Sequence, residues 1–233
     1  MAKNRALRGV VLKKQMEREG LSFRAVIFDF DGTLVNSLHG IAAAMNCALR
    51  EFGLLEHTWE SYQTRVGEGV FVLAKKAVPA DWTGSIEELL AKYRQHYRLW
   101  MWESIHLYEG IPALLDTLQE RGVLMAVLSN KGDDFVQTLS KTLLAPWNFS
   151  DIRGEREGIP KKPDPTSALD IARTLQVKPE EIVFVGDTPV DMNTACAAKM
   201  RAVGVSWGFR CEEELYHAGA SFVLKSPLQL LSL

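Results

Sequence analysis

Ala25-Val26-Ile27-Phe28-Asp29-Phe30-Asp31-Gly32-Thr33 joins an uninterrupted apolar run to two carboxylates and a glycine. An apolar run that does not alternate with polar residues suits a strand covered on both faces, the habit of parallel sheets flanked by helices. Val123-Leu124-Met125-Ala126-Val127-Leu128, Ile182-Val183-Phe184-Val185 and Ala202-Val203-Gly204-Val205 have the same character. Residues 149–152 form a shorter candidate, and Phe222-Val223-Leu224 suits an edge strand. Between these runs, residues 111–120, 133–144, 166–175 and 190–199 carry apolar side chains at helical spacing, the first stretch closed by Gly122. Alternating strands and helices predict an α/β fold with a doubly wound, mostly parallel sheet. Its active site belongs at the carboxyl ends of the strands.

One interval breaks the alternation. The chain runs from Asp29 to Val123 before the next core strand, far beyond the roughly 30 residues of a βαβ unit. Within it, Ile41, Met45, Ala48, Leu49 and Phe52, then Leu89, Leu90, Tyr93, Tyr97 and Trp100, recur at helical spacing with no strand-like run. Residues 38–106 therefore read as an inserted helical cap domain, with the core formed by residues 23–37 and 107–233. Both connections leave the core beside the carboxyl end of the first strand, so the cap is expected over the site. Residues 1–22 stand apart as a basic N-terminal extension, in which Lys3, Arg5, Arg8, Lys13, Lys14 and Arg18 face only Glu17 and Glu19. Its apolar stretch Val10-Val11-Leu12 is too short for the core of a signal peptide.

Composition narrows the class. Across 233 residues, 27 Lys and Arg against 29 Asp and Glu leave a formal charge of −2, and 47% of residues are hydrophobic. Intrinsic disorder is excluded, and the basic surplus of a nucleic-acid binder is missing. The longest apolar runs fall far short of the roughly 20 residues of a membrane span. Cys47, Cys196 and Cys211 make an odd, widely spaced set that favours a reducing, cytoplasmic setting over a disulfide framework. No nucleic acid and no membrane are expected as partners, and the chain is expected to act as a monomer or homodimer.

The chemistry gathers where strands end. Asp29 and Asp31 close the first strand, and Gly186-Asp187-Thr188-Pro189-Val190-Asp191 repeats the pattern after another. In a parallel sheet such ends are neighbours, so three or four carboxylates converge. Their repulsion calls for a hard cation, and a site of oxygen donors without His or Cys suits Mg²⁺. Asp187, directly after its strand, is the better ligand candidate. Asp191 is read equally as a cap for the next helix or as a holder of a metal-bound water. Ser129 and Asn130 follow a third strand at an expected helix N-terminus, where an anion is favoured. In Pro160-Lys161-Lys162-Pro163-Asp164-Pro165 a stiff loop fixes a lysine before a helix; Lys162 is preferred over Lys161 as the ammonium that screens carboxylates from a phosphate.

Together, DxDGT at Asp29 to Thr33, Ser129-Asn130, Lys162-Pro163 and GDxxxD at Gly186 to Asp191 resemble the haloacid dehalogenase (HAD) superfamily in its Mg²⁺-dependent phosphatase branch. Arg65-Val66-Gly67-Glu68-Gly69, Ser129-Asn130-Lys131, Lys162-Pro163-Asp164-Pro165 and Val205-Ser206-Trp207-Gly208 look like the phosphoglycolate phosphatase group. Asn36 in place of the group's usual Asp, and Glu109 in place of a common proline, depart from it. The resemblance implies a Rossmann-like core and places Asp29 as a nucleophile that forms an aspartyl-phosphate. Asp31 would protonate the leaving alcohol and then activate water. Mg²⁺ would be held by the Asp29 carboxylate, the Asp31 carbonyl and Asp187. Ser129 and Asn130 would hold phosphate oxygens, with Lys162 neutralising charge. The resemblance implies a small phosphorylated metabolite such as 2-phosphoglycolate as the substrate, hydrolysed with Mg²⁺; sugar phosphates, nucleotides and pyrophosphate are alternative substrates, and a phosphomutase, a dehalogenase and an inactive binding protein are the rival readings. Arg65, beside the Gly67-Glu68-Gly69 turn, is the candidate for recognising a substrate carboxylate.

Overall fold

The computed structural model describes residues 22–103 and 105–233; apart from Ser22, the basic N-terminal extension lies outside the described residues. The elements run β1 (Ala25–Phe28), β2 (Val35–Asn36), α1 (Leu38–Glu51), α2 (Val70–Ala77), α3 (Ile86–Trp100), β3 (His106–Leu107), α4 (Ile111–Glu120), β4 (Leu124–Gly132), α5 (Asp133–Leu143) and β5 (Phe149–Glu155). They continue with α6 (Thr166–Leu175), β6 (Ile182–Gly186), α7 (Pro189–Ala197), β7 (Arg201–Val205), α8 (Glu212–His217) and β8 (Phe222–Leu224). Six strands form one parallel sheet in the order β5-β4-β1-β6-β7-β8.

Side chains of β1 part alternately to the two faces, as strand geometry requires. Val26 and Phe28 join Met125, Val127, Val183 and Val185 on the face covered by α4 and α5. Ala25 and Ile27 join Ala126, Phe184 and Ala202 on the face covered by α6, α7 and α8. All four β1 side chains are fully buried, and full burial of one such Val, Ile or Phe is worth about 1.5–3 kcal/mol. This two-sided burial is why the strands read as continuous apolar runs. Among the described residues, no helix is long and apolar enough to cross a membrane, and all three cysteines are free thiols.

Register sets the site. Ala25 is level with Leu124 on one side and Ile182 on the other, and Phe28 is level with Val127 and Val185. Asp29, Ser129 and Asp187 therefore leave three adjacent strands within two residues of one level.

Between β2 and β3 the described residues form three α-helices, α1, α2 and α3, and a single 3-10 turn at Glu60–Tyr62. Helix α1 lies close against the C-terminal end of α3: a Cβ on Gly40 would stand 3.0 Å from the Trp100 carbonyl. Leu49, Leu73, Leu89 and Tyr97 are buried in the same apolar cluster as Phe28 and Val127. The two connections are held together by β2 and β3, an antiparallel pair matching Val35 to Leu107.

The clearest departure from expectation is β4. The run ending at Leu128 was expected to lead straight into a helix, but the strand continues to Gly132, and its pairing shifts between Leu128↔Arg153 and Gly132↔Glu155. Four steps on β4 match two on β5, so Ser129, Asn130 and Lys131 bulge from the ladder, as extra strand residues do. Gly154 makes room: a Cβ there would lie 2.6 Å from the Lys131 carbonyl. Ser129 and Asn130 thus stand before, not at, the N-terminus of α5.

Candidate active site

The backbone of the first motif is held by the sheet and then by its own turn. Asp29 N–H donates to the Val185 carbonyl (2.9 Å), and Gly32 N–H donates to the Val35 carbonyl (2.9 Å). Gly32 has φ +84°, a left-handed conformation that favours glycine. An added Cβ would sit 2.2 Å from Asp187 Oδ2. Asp187 is fully buried and accepts from Phe209 N–H (2.8 Å) and Thr33 Oγ1 (3.2 Å). Gly32→Ala should therefore both strain the turn, at a cost of at least about 1–2 kcal/mol, and displace Asp187. Urea denaturation checks the first effect and calorimetric titration of a divalent cation the second; unchanged values in both would show that the turn yields.

Three buried carboxylates meet here. One oxygen from each of Asp29, Asp187 and Asp191 lies within 4.8 Å of the others. Lys162, its side chain 1% exposed, places Nζ 2.9 Å from Asp29 Oδ1 and 2.6 Å from Asp191 Oδ1. Burial, then repulsion by Asp191, pushes the Asp29 carboxyl up to about 7 against the pull of Lys162. Burial, with Asp191 and Asp29 beside it, raises Asp187 as well. Burial opposes the charge of Lys162, yet Asp191 and Asp29 outweigh it and hold the ammonium more firmly protonated than usual. One ammonium among three carboxylates leaves negative charge uncompensated. An all-oxygen set of this kind fits a hard divalent cation.

The structure assigns Asp191 the capping role. Its Oδ2 accepts from Thr188 N–H (3.0 Å) and Thr188 Oγ1 (2.7 Å) at the start of α7, with Pro189 in the first turn, while Oδ1 accepts from Lys162. Asp191 thus also fixes the ammonium, a role the spacing alone did not suggest.

The Asn130 side chain is engaged by two neighbouring loops. Its Oδ1 accepts from Lys162 N–H (2.9 Å), and its Nδ2 donates to the carbonyls of Lys162 (2.9 Å) and Gly67 (3.1 Å). The amide therefore positions the Lys162 loop and the Gly67 turn. Ser129 is buried and accepts from Lys131 N–H (3.3 Å), which leaves its O–H to donate elsewhere. Arg65 is likewise engaged by backbone. Its guanidinium donates to the Ser61 (2.5 Å) and Lys76 (3.2 Å) carbonyls, and Arg65 is not among the cavity-lining residues. The glycine turn beside it does face the site, because Gly67 and Gly69 line the cavity.

That cavity, about 620 Å³, runs from Asp29 and Asp31 toward α2 and α3, where Leu73 and Leu90 line it. Asp31 differs from the other acids. It accepts from Ser37 Oγ (2.5 Å), and both its oxygens lie 3.0 Å from Lys131 Nζ. Lys131 entered the sequence reading only within the stretch Ser129-Asn130-Lys131, with no role of its own. Arg210, missed in sequence, donates from the β7–α8 loop to the carbonyls of Gln63, Thr64 and Val66. With Lys161 on the Glu68 carbonyl (2.9 Å), it ties the core to the segment before α2.

Residues 26–205 match the model of the haloacid dehalogenase-like hydrolase family. A phosphoglycolate phosphatase of Haemophilus influenzae is 30% identical over 91% of this chain and 98% of its own. One from Aquifex aeolicus is 32% identical over 90% and 96%. Among solved structures, one from Lactobacillus delbrueckii subsp. bulgaricus, provisionally described as a phosphoglycolate phosphatase, superposes with a TM-score of 0.85. It shares 27% identity and covers 91% of this chain and 98% of its own.

Proposed function

The chain belongs to the haloacid dehalogenase-like hydrolase family, and from that premise we propose that it hydrolyses a small phosphate monoester, 2-phosphoglycolate, through a phosphorylated Asp29. The observation that carries this reading is Asp29 at the end of the central strand. Its Oδ1 lies 2.9 Å from a buried ammonium, with two further carboxylates within 4.8 Å and a cavity above. Relatives named phosphoglycolate phosphatase over nearly their whole length support the substrate class.

In this reading an Asp29 oxygen attacks phosphorus, the bond from phosphorus to the ester oxygen breaks, and Asp31 delivers a proton to the departing alkoxide. Asp31 then takes a proton from a water that attacks the same phosphorus, which releases inorganic phosphate and restores Asp29. Two moderate barriers replace the direct hydrolysis of a monoester, one of the slowest reactions known in water. Ser129 donates its hydroxyl to a phosphate oxygen. Lys162 offsets the repulsion between carboxylate and phosphate, held in place by Asp191 and by Asn130. The Asp29 carboxylate, the Asp31 carbonyl and Asp187 would hold Mg²⁺, for which the cluster of buried oxygen donors is suited, and the ion would supply charge neutralisation between Asp29 and an incoming phosphate dianion. Residues 38–106 act as the cap that shields the reaction from bulk water.

A panel of phosphorylated metabolites assayed for released phosphate tests the reading. Turnover of 2-phosphoglycolate should require Mg²⁺, vanish in excess EDTA, and recover poorly with Ca²⁺, which is larger and less strictly octahedral. No release from any ester would end the phosphatase reading, and full activity in EDTA would end the metal assignment.

A further inference from the structure

Lys131 is the cavity cation set apart from the rest. Its side chain is 7% exposed, whereas Arg94, Arg98 and Arg156, which also line the cavity, are exposed. Arg98 is further engaged, with Asp134 at 3.6 Å and the Phe135 ring beneath its guanidinium. An exposed arginine gains little from an added anion because water already solvates both partners. A desolvated ammonium discriminates far more strongly.

We propose that Lys131 is the specificity-determining residue of this site and recognises a carboxylate carried one carbon from the ester oxygen of the substrate. The proposal rests on the phosphatase reading above, with Asp31 facing the leaving oxygen. Lys131 Nζ lies 3.0 Å from each Asp31 oxygen, and an ester oxygen hydrogen-bonded to Asp31 stands about 3 Å on the other side. Ester oxygen and ammonium are then at most about 6 Å apart. One intervening carbon sets a carboxylate oxygen about 3 Å from the ester oxygen, and a hydrogen bond of about 3 Å closes the remaining distance. A longer spacer carries its acid group past Lys131 toward the exposed arginines.

An ammonium has three donors, of which Asp31 accepts two. Among the described residues no third acceptor takes the remaining N–H, and the Tyr97 ring lies against the ammonium, 4.5 Å from Nζ to centroid. The ring keeps water from one side of the ammonium and supports its charge through its face. The bulge at residues 129–131 is what aims this side chain across the site at Asp31.

The test compares kcat/KM for 2-phosphoglycolate with that for 2-hydroxyethyl phosphate, which replaces the carboxylate by an uncharged hydroxymethyl group, in the wild type, Lys131→Met and Lys131→Arg. The wild type should prefer the carboxylate substrate at least tenfold. Lys131→Met should lower that ratio about ten- to a hundredfold, the usual range for a hydrogen bond to a charged group, and Lys131→Arg should restore part of it. A role limited to holding Asp31 would depress both substrates together and leave the ratio unchanged; that result overturns the proposal. So does a wild-type ratio near one, which needs no variant to fold. A wild type that releases phosphate from neither compound overturns the phosphatase reading itself, a result distinct from either of these.

Discussion

Asp29→Asn should reduce turnover of every phosphate ester by about 10⁴-fold or more, because an amide cannot supply the attacking oxygen and no second group replaces it. The same substitution should stabilise the metal-free protein at neutral to alkaline pH. In the folded chain the Asp29 carboxyl is raised from 3.8 to about 7, chiefly by burial and then by Asp191. Its charge is thus harder to hold in the folded state than in the unfolded one. The sign follows from linkage: the penalty is absent below about pH 4, where the acid is protonated in both states, grows as pH rises toward 7, and is complete above it. A neutral amide at this position carries no such penalty. Urea denaturation in EDTA should show the variant more stable than wild type at pH 8, by a few kcal/mol at most, with the gap closing as pH falls toward 4. Catalysis that survives would remove Asp29 from the nucleophile role. A gap independent of pH would show that the carboxyl is not strained.

Lys162→Met should have the opposite effect on stability and a comparable one on activity. The ammonium is shared between Asp29 and Asp191, each within 2.9 Å. That sharing explains why the two partners respond unequally: Lys162 gains from two carboxylates while Asp29 still loses to burial and to Asp191. Removing the ammonium leaves buried acids without their counterion, a change that costs about 3–5 kcal/mol in comparable buried pairs. Asp191 also caps α7, so the loss should be felt at that helix start. Urea denaturation in EDTA at pH 7.5 measures the effect, and Mg²⁺ should recover part of it, about 2.7 kcal/mol when present at a hundred times its dissociation constant. A loss under about 1 kcal/mol in EDTA would indicate that water enters the cluster and screens it.

The helical interval shows how far local pattern reaches. Spacing of Ile41, Met45 and Leu49, and of Leu89, Tyr93 and Tyr97, identified helices that the structure contains as α1 and α3. It could not say which polar side chains of that interval face the cavity. Arg65 sits next to a turn that does line it, yet its guanidinium meets the Ser61 and Lys76 carbonyls. Rotamer and orientation depend on neighbours distant in sequence. What the Asn130 side chain meets was hidden for the same reason: the loop carrying Lys162 takes up both ends of its amide.

By itself the sequence determined the parallel sheet and pointed to the strand ends near which Asp29, Asp187 and Lys162 lie together, with Asp31 beside Asp29 on the cavity wall. Continuous apolar runs require cover on both faces, and carboxylates placed directly after such runs have nowhere to go but the sheet's carboxyl edge. Tertiary structure alone decided how the charges pair. Asp191 became cap and counterion together, Lys131 reached Asp31 across the site, and Arg210 tied the core to the segment ahead of α2. The reach of Lys131 depends on inter-strand register, in the shift between Leu128 and Gly132 against β5, while the Lys162–Asp191 and Arg210 contacts join segments 29 and about 145 residues apart in sequence. Register is fixed by the packing of whole strands and helices, so a short stretch of chain does not encode it.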